Sequence, residues 1–274
     1  MSWILLFAFF PTIAAIGEGQ LSLLILFLLV VGWSSSRSGN DRAAGLALGL
    51  ALSLKLFTGL FLIYFLIRRR WKLLAWYLGT FLVTSFLALM VFGIDVYLQY
   101  LKSFKDINWY ELSWNASFTG FFTRIFEGTN DIIMIYRPDI TNIAVLSFSL
   151  IALISLVWAA GPRDDAANAI RFDLGYALTL VLMLLISPFG WLYYFPFLII
   201  PAILILRISS QSRTHFLKAF VIIVWIMLTI WPLLQRTQVS GVYILAQIGF
   251  YTYVLVAFGV LLVWLIFNLH RYRI

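Results

Sequence analysis

Apolar residues fall along the chain in seven blocks, about 3–33, 43–67, 73–92, 140–160, 174–206, 215–232 and 246–268. Polar connections separate them at 34–42, 68–72, 93–139, 161–173, 207–214 and 233–245, and a polar tail closes the chain at 269–274. A bilayer crossing needs ~20 apolar residues, which most blocks reach. Long apolar runs, rather than short alternating segments, exclude a transmembrane barrel. The pattern predicts an all-α polytopic membrane protein with residues 1–274 forming a single transmembrane domain. The interruptions matter as much as the blocks. The first block carries Glu18 and Gln20 beside Gly17 and Gly19, which predicts a turn between two shorter helices. Block 43–67 has Lys55 and Gly59 at its centre, and block 174–206 contains Pro188, Gly190 and Pro196. Non-helical backbone at membrane depth persists only where protein or a water-filled cavity satisfies it. Several broken or half-length helices around an intramembrane cavity are therefore expected.

Composition agrees: hydrophobic residues make up 63% of the chain and charged residues 11%, against about a quarter charged in soluble domains. There is no cysteine, so neither a disulfide nor a thiolate metal site can form, and no His, Asp or Glu cluster has the spacing of metal ligands. No metal and no cofactor is expected. The net charge of +8 points to membrane lipids rather than nucleic acid, because the basic residues gather at the ends of apolar runs. If every block crossed once, Arg68–Lys72 would fall opposite Arg37, Arg42, Arg207 and Arg213. If blocks 43–67 and 174–206 each enter and leave on one side, all basic connections share that side. Of 19 Lys and Arg, 13 then lie inside and 5 outside, with Lys55 in the membrane. Charge favours this second arrangement. It makes the basic connections and the C-terminus cytoplasmic, puts 93–139 and 233–245 outside, and suits a multi-pass plasma-membrane protein.

The long connection 93–139 carries Ile94, Tyr97, Leu101 and Phe104 at helical spacing, with Lys102, Lys105 and Asp106 elsewhere on the wheel. This predicts a helix lying in the interface. Trp109, Tyr110 and Trp114 follow as an aromatic belt, with rings that either anchor the segment or stack on a sugar.

Four pieces in order resemble glycosyltransferase family 87 of the C-type glycosyltransferase superfamily, relatives of polyprenyl-phosphate-mannose-dependent mannosyltransferases. They are "IGEGQLSLLILFLLV" with Gly19-Gln20, and "AAGLALGLALSLKLFTGLFLIYFLIRRRWK" with Ala44-Gly45, Lys55 and Arg68–Trp71. "NASFTGFFTRIF" follows with Asn115, Ser117 and Arg124, then "ISPFGWLYYF" with Ser187, Pro188 and Trp191. Departures are a missing proline after Lys55 and Tyr193-Tyr194 where histidine is common. Glu18 is an addition of this chain. The family opens with a further helix and an outer loop bearing the expected catalytic aspartate. This chain starts downstream of both, so by resemblance that aspartate is expected upstream and the chain reads as a truncated copy.

The resemblance implies transfer of a hexose, mannose in the relatives, from a polyprenyl-phosphate sugar to an extracytoplasmic lipid or glycan acceptor. Such a reaction needs a base for the acceptor hydroxyl and a cation for the leaving phosphate. A lysine inside an apolar block is costly without a partner or cavity, so Lys55 either meets the phosphate or snorkels from a helix end. Arg124, on the outer side and exposed, holds a phosphate or headgroup, or forms a rim ion pair with Glu127 or Asp131. Asn115 and Ser117 bond sugar hydroxyls or cap the helix beginning at Phe118. Gln20, Trp191 and Tyr193 carry over as substrate contacts, and Glu18 faces water, sugar, Lys55 or Arg124. Asp95, Asp106, Glu111, Glu127, Asp131 and Asp139 are the outer carboxylates. His215, His270 and Asp164-Asp165 fall on the cytoplasmic side. A transporter or lipid flippase with broken helices is the alternative, and a non-catalytic scaffold a third reading.

Overall fold

The computed structural model describes residues 9–103, 109–128, 136–161, 168–212, 214–235, 241, 244 and 248–269. The expectations for Phe104, Lys105, Asp106, Asp131, Asp164, Asp165, His270 and most of 233–245 lie outside the described residues. In chain order the helices are α1 (Phe10–Gly17), α2 (Ser22–Arg37), α3 (Asp41–Leu54), a 3₁₀ turn (Leu56–Gly59), α4 (Leu60–Ile67), α5 (Trp71–Phe92) and α6 (Ile94–Ser103). Then come α7 (Phe118–Phe126), α8 (Pro138–Ala160), α9 (Asn168–Ile186), a 3₁₀ helix (Leu192–Leu198), α10 (Ile199–Ser212), α11 (His215–Gln235) and α12 (Phe250–Phe267). Among the described residues six helices are long and apolar enough to cross a membrane, the 3₁₀ helix and α10 counting as one. The protein is an all-α polytopic membrane protein.

Each interruption in the sequence becomes a break in the helices. At "GEGQ" the Glu18 N–H donates to the Ala14 carbonyl and the Gln20 N–H to the Ala15 carbonyl, both at 2.9 Å. Gly19 takes φ +61, a conformation that costs glycine little, and α2 leaves in a new direction. At Lys55 the backbone is extended, with φ −148 and ψ 113. Its carbonyl accepts from the Thr58 N–H at 3.2 Å and the Thr58 hydroxyl at 2.9 Å. The Tyr77 hydroxyl donates to the Thr58 carbonyl at 2.9 Å, so protein satisfies this break as membrane depth demands. Block 174–206 differs from the half-length expectation. Its two arms, Ala169–Ile186 and Leu192–Ser212, are each long enough to cross, because residues 168–173 and 207–212, read as connections, continue the helices.

Polar contacts fix which connections share an end. Arg70 pairs with Asp41 and also donates to the Ser36 carbonyl at 3.2 Å, so block 43–67 returns to the end where it began. Asp173 accepts from the Trp33 indole at 2.8 Å and pairs with Arg37 at 2.9 Å. Arg171 donates to the Ala159 carbonyl at 3.2 Å, and Arg207 lines a small crevice with Asp173. The basic connections thus gather at one end of the bundle. α9 carries Asp173 near its start and runs to the opposite end, about 28 Å over its full 19 residues, and is buried along most of its length.

Small residues let α3 sit close to its neighbours. A Cβ on Gly45 would lie 2.4 Å from the Trp76 Cβ, and one on Gly49 would lie 2.6 Å from the Thr80 Cβ. The two glycines are four residues apart on one face, the spacing that brings membrane helices into backbone contact. Buried tyrosines complete the packing. Tyr64 donates to the Phe172 carbonyl and Tyr176 to the Leu29 carbonyl, both at 2.8 Å, which gives each phenol a partner in an apolar interior.

Candidate active site

A cavity of about 490 Å³ opens at the end opposite the basic connections. Lys55 enters it from the break after α3, Tyr100 and Ser103 from α6, Ser187, Pro188, Phe189 and Trp191 from the turn between α9 and the 3₁₀ helix, and Tyr193 from the start of that helix. Lys55 is half-buried, its Nζ 5.5 Å from the centre of the Tyr194 ring. No described carboxylate forms an ion pair with it. The Phe189, Trp191 and Tyr193 side chains alternate along the segment and stack in series, at 5.9 and 6.2 Å between centroids. Tyr110 extends the stack at 5.2 Å from Phe189. Together these groups offer a cation, several hydroxyls and a run of aromatic faces.

The turn is held from behind by Asn115, which is fully buried. Its Nδ2 donates to the Tyr110 carbonyl at 3.1 Å and the Pro188 carbonyl at 2.9 Å. Its Oδ1 accepts from the Ser117 N–H at 3.2 Å and the Gly190 N–H at 3.0 Å. All four hydrogen-bonding positions of the amide are thereby engaged within the protein. Ser117 donates to the Pro188 carbonyl at 3.1 Å and caps α7 by accepting from the Gly120 N–H at 3.0 Å. Backbone bonds from Ala116 to Gly190 and from Leu192 to Trp114, at 2.9 and 3.0 Å, close the junction. Gly190 must be glycine, since a Cβ there would sit 2.3 Å from the Leu184 carbonyl oxygen.

Arg124 departs from expectation. It is 2% exposed rather than on the surface, and it pairs with no described carboxylate. Its Nη1 donates to the Leu112 and Asn115 carbonyls at 2.9 and 3.0 Å. Burial pushes its guanidinium down to about 10, which leaves it charged at neutral pH. The helix α7 is amphipathic, and its inward face carries the arginine to these carbonyls. Glu18 is exposed at its turn and pairs with neither Lys55 nor Arg124. Its carboxylate lies within electrostatic reach of the Tyr193 phenol. Gln20 is half-buried in the same turn. Thus the structure brings Lys55, Trp191 and Tyr193 to one cavity, sets Glu18 near its rim, and puts Asn115, Ser117 and Arg124 behind its wall. The pairing of Trp33 and Arg37 with Asp173 was missed in the sequence, although their spacing of four on α2 aims both at one partner. The cavity contribution of Tyr100 and Ser103 was also missed, since nothing local says where α6 folds back. Among the described residues no three His, Asp or Glu side chains gather as metal ligands would.

No curated protein and no solved structure matches the chain significantly. The sequence model of glycosyltransferase family 87 matches residues 1–188, a span that holds the Lys55 break, the Asn115 junction and the start of the Ser187-Pro188 turn. The chain belongs to glycosyltransferase family 87, a family of membrane glycosyltransferases.

Proposed function

We propose that the protein transfers a hexose, mannose by resemblance, from a polyprenyl-phosphate sugar to a lipid or glycan hydroxyl at the outer face of the plasma membrane. The observation that carries this reading is the convergence of Lys55, the Tyr100–Ser103 face of α6 and the Ser187–Tyr193 turn on one cavity at the end away from the basic connections. In the reaction the acceptor oxygen bonds to the anomeric carbon while the bond from that carbon to the phosphate oxygen breaks. The leaving polyprenyl phosphate keeps the electron pair, and the acceptor proton passes to a base.

Lys55 is the group for the leaving phosphate. A fixed cation in a half-desolvated site stabilises charge that grows in the transition state. The offset stack of Phe189, Trp191 and Tyr193 suits the apolar face of a sugar ring, and the hydroxyls of Tyr100, Ser103 and Tyr193 suit its rim. Glu18 and Gln20 would meet the acceptor or sugar from the neighbouring turn. Asn115, Ser117 and Arg124 act by holding the turn that carries Trp191.

The test is transfer from a radiolabelled polyprenyl-phosphate hexose by the full chain in proteoliposomes. Lys55→Ala is expected to lower turnover by about 100-fold or more, as loss of one transition-state donor does, with the melting temperature unchanged. Transfer at the wild-type rate by that variant would overturn the assignment of Lys55. Absence of transfer by the wild-type chain with any such donor would overturn the reaction.

A further inference from the structure

A second and larger cavity, about 790 Å³, lies on the far side of the Asn115 junction. It is an open furrow between α7, α8, α9 and α12, and almost all of its wall is apolar. On α12 it follows Thr252, Val256, Gly259, Val263 and Phe267, one stripe of the helix about 22 Å long at 1.5 Å per residue. That is most of a hydrocarbon core ~30 Å thick. It shares no lining residue with the Lys55 cavity, and the fully buried Asn115 and Ser117 belong to the junction between the two. A lipid seated here does not present its headgroup to Lys55.

The upper end of the furrow has unsatisfied polarity. Thr252 is 2% exposed, lines the furrow, and its hydroxyl has no hydrogen-bond partner. Next to it Tyr253 lines the furrow and lies within electrostatic reach of Arg124. The Arg124 Nη2 is likewise buried without a partner. The Glu111 carboxylate acts on Arg124 only from beyond ion-pair distance; a buried cation without a close partner is expensive in a low dielectric, and an anion at this mouth would offset it. Below the mouth, an apolar furrow at membrane depth does not hold water, so hydrocarbon must fill it.

We propose that the furrow is a binding site for one anionic phospholipid, with an acyl chain along α12 and the phosphate at the Thr252–Tyr253 end. This lipid is a resident of the fold, distinct from the substrates of the Lys55 cavity. The charge of Arg124 selects the anionic headgroup, and the Thr252 hydroxyl donates to a phosphate oxygen.

The experiment uses the full chain reconstituted with equal amounts of phosphatidylglycerol and phosphatidylcholine, released for native mass spectrometry. One phosphatidylglycerol per chain is expected to remain, favoured about fivefold over phosphatidylcholine, as one charge near a membrane surface provides. A Cβ on Gly259 meets only Val181, at 3.8 Å, so Gly259→Leu fills the furrow with little strain and is expected to abolish retention. Thr252→Val, nearly isosteric, is expected to lower it several-fold. If Gly259→Leu fails to fold, Thr252→Val decides. Equal retention of the two lipids, wild-type retention by a folded variant, or displacement by added polyprenyl phosphate in preference to phosphatidylglycerol would overturn the proposal.

Discussion

Asn115 shows how one side chain can set the shape of a site that it does not enter. Two donors and two accepted bonds join the loop at Tyr110, the start of α7 and the Pro188–Gly190 turn. Asn115→Asp keeps the shape of the side chain but removes both donors and turns an oxygen toward two carbonyls. Each buried group left unpaired costs ~1–3 kcal/mol, so a loss of several kcal/mol is expected, read as a lower melting temperature together with lost transfer. Wild-type stability in that variant would remove Asn115 from this role. The sequence offered Asn115 and Ser117 both as sugar contacts and as a helix start. The cap at Ser117 is visible in the spacing to Gly120, whereas the two bonds from Asn115 that reach the Pro188–Gly190 turn span 73 and 75 residues and leave no local trace.

At the scale of elements, α3 depends on the absence of side chains. Gly49 faces Thr80 and the Tyr77 carbonyl, each 2.6 Å from where a Cβ would stand. Gly49→Ala must push α3 and α5 apart and is expected to cost ~1–3 kcal/mol. Gly79 lies within α5 with nothing within 4 Å of a Cβ. Gly79→Ala is therefore expected to be neutral or to stabilise by up to ~1 kcal/mol. Thermal unfolding of the two variants in one detergent checks the contrast, and equal effects would contradict the packing. The small residues of α3 were visible in the sequence. Their partner was not, because nothing in "AAGLALGLALS" names α5 rather than another helix.

For the whole molecule, the clustering of Arg37, Arg70, Arg171 and Arg207 at one end carries a consequence for topology. The chain has no cysteine, so single cysteines report cleanly. Ser38→Cys and Ser210→Cys, both exposed near the basic end, are expected to react with an impermeant thiol reagent from the same side of the membrane. Ser113→Cys, beside the Asn115 junction, is expected to react from the other. Reaction of Ser38 and Ser210 variants from opposite sides would break the fold as described.

The sequence by itself determined the membrane class, the breaks at "GEGQ", Lys55 and "SPFG", and the grouping of basic connections. These follow from local composition: apolar runs must lie in lipid, glycine, proline and charge interrupt them, and most basic residues gather at one surface. Only the tertiary structure decided which interruptions meet. It gave block 174–206 two arms each long enough to cross, brought α6 to the cavity that Lys55 lines, and turned Arg124 inward. Such pairings are settled by helix packing and by the need of each buried polar group for a distant partner, and neither is written in any single stretch of chain.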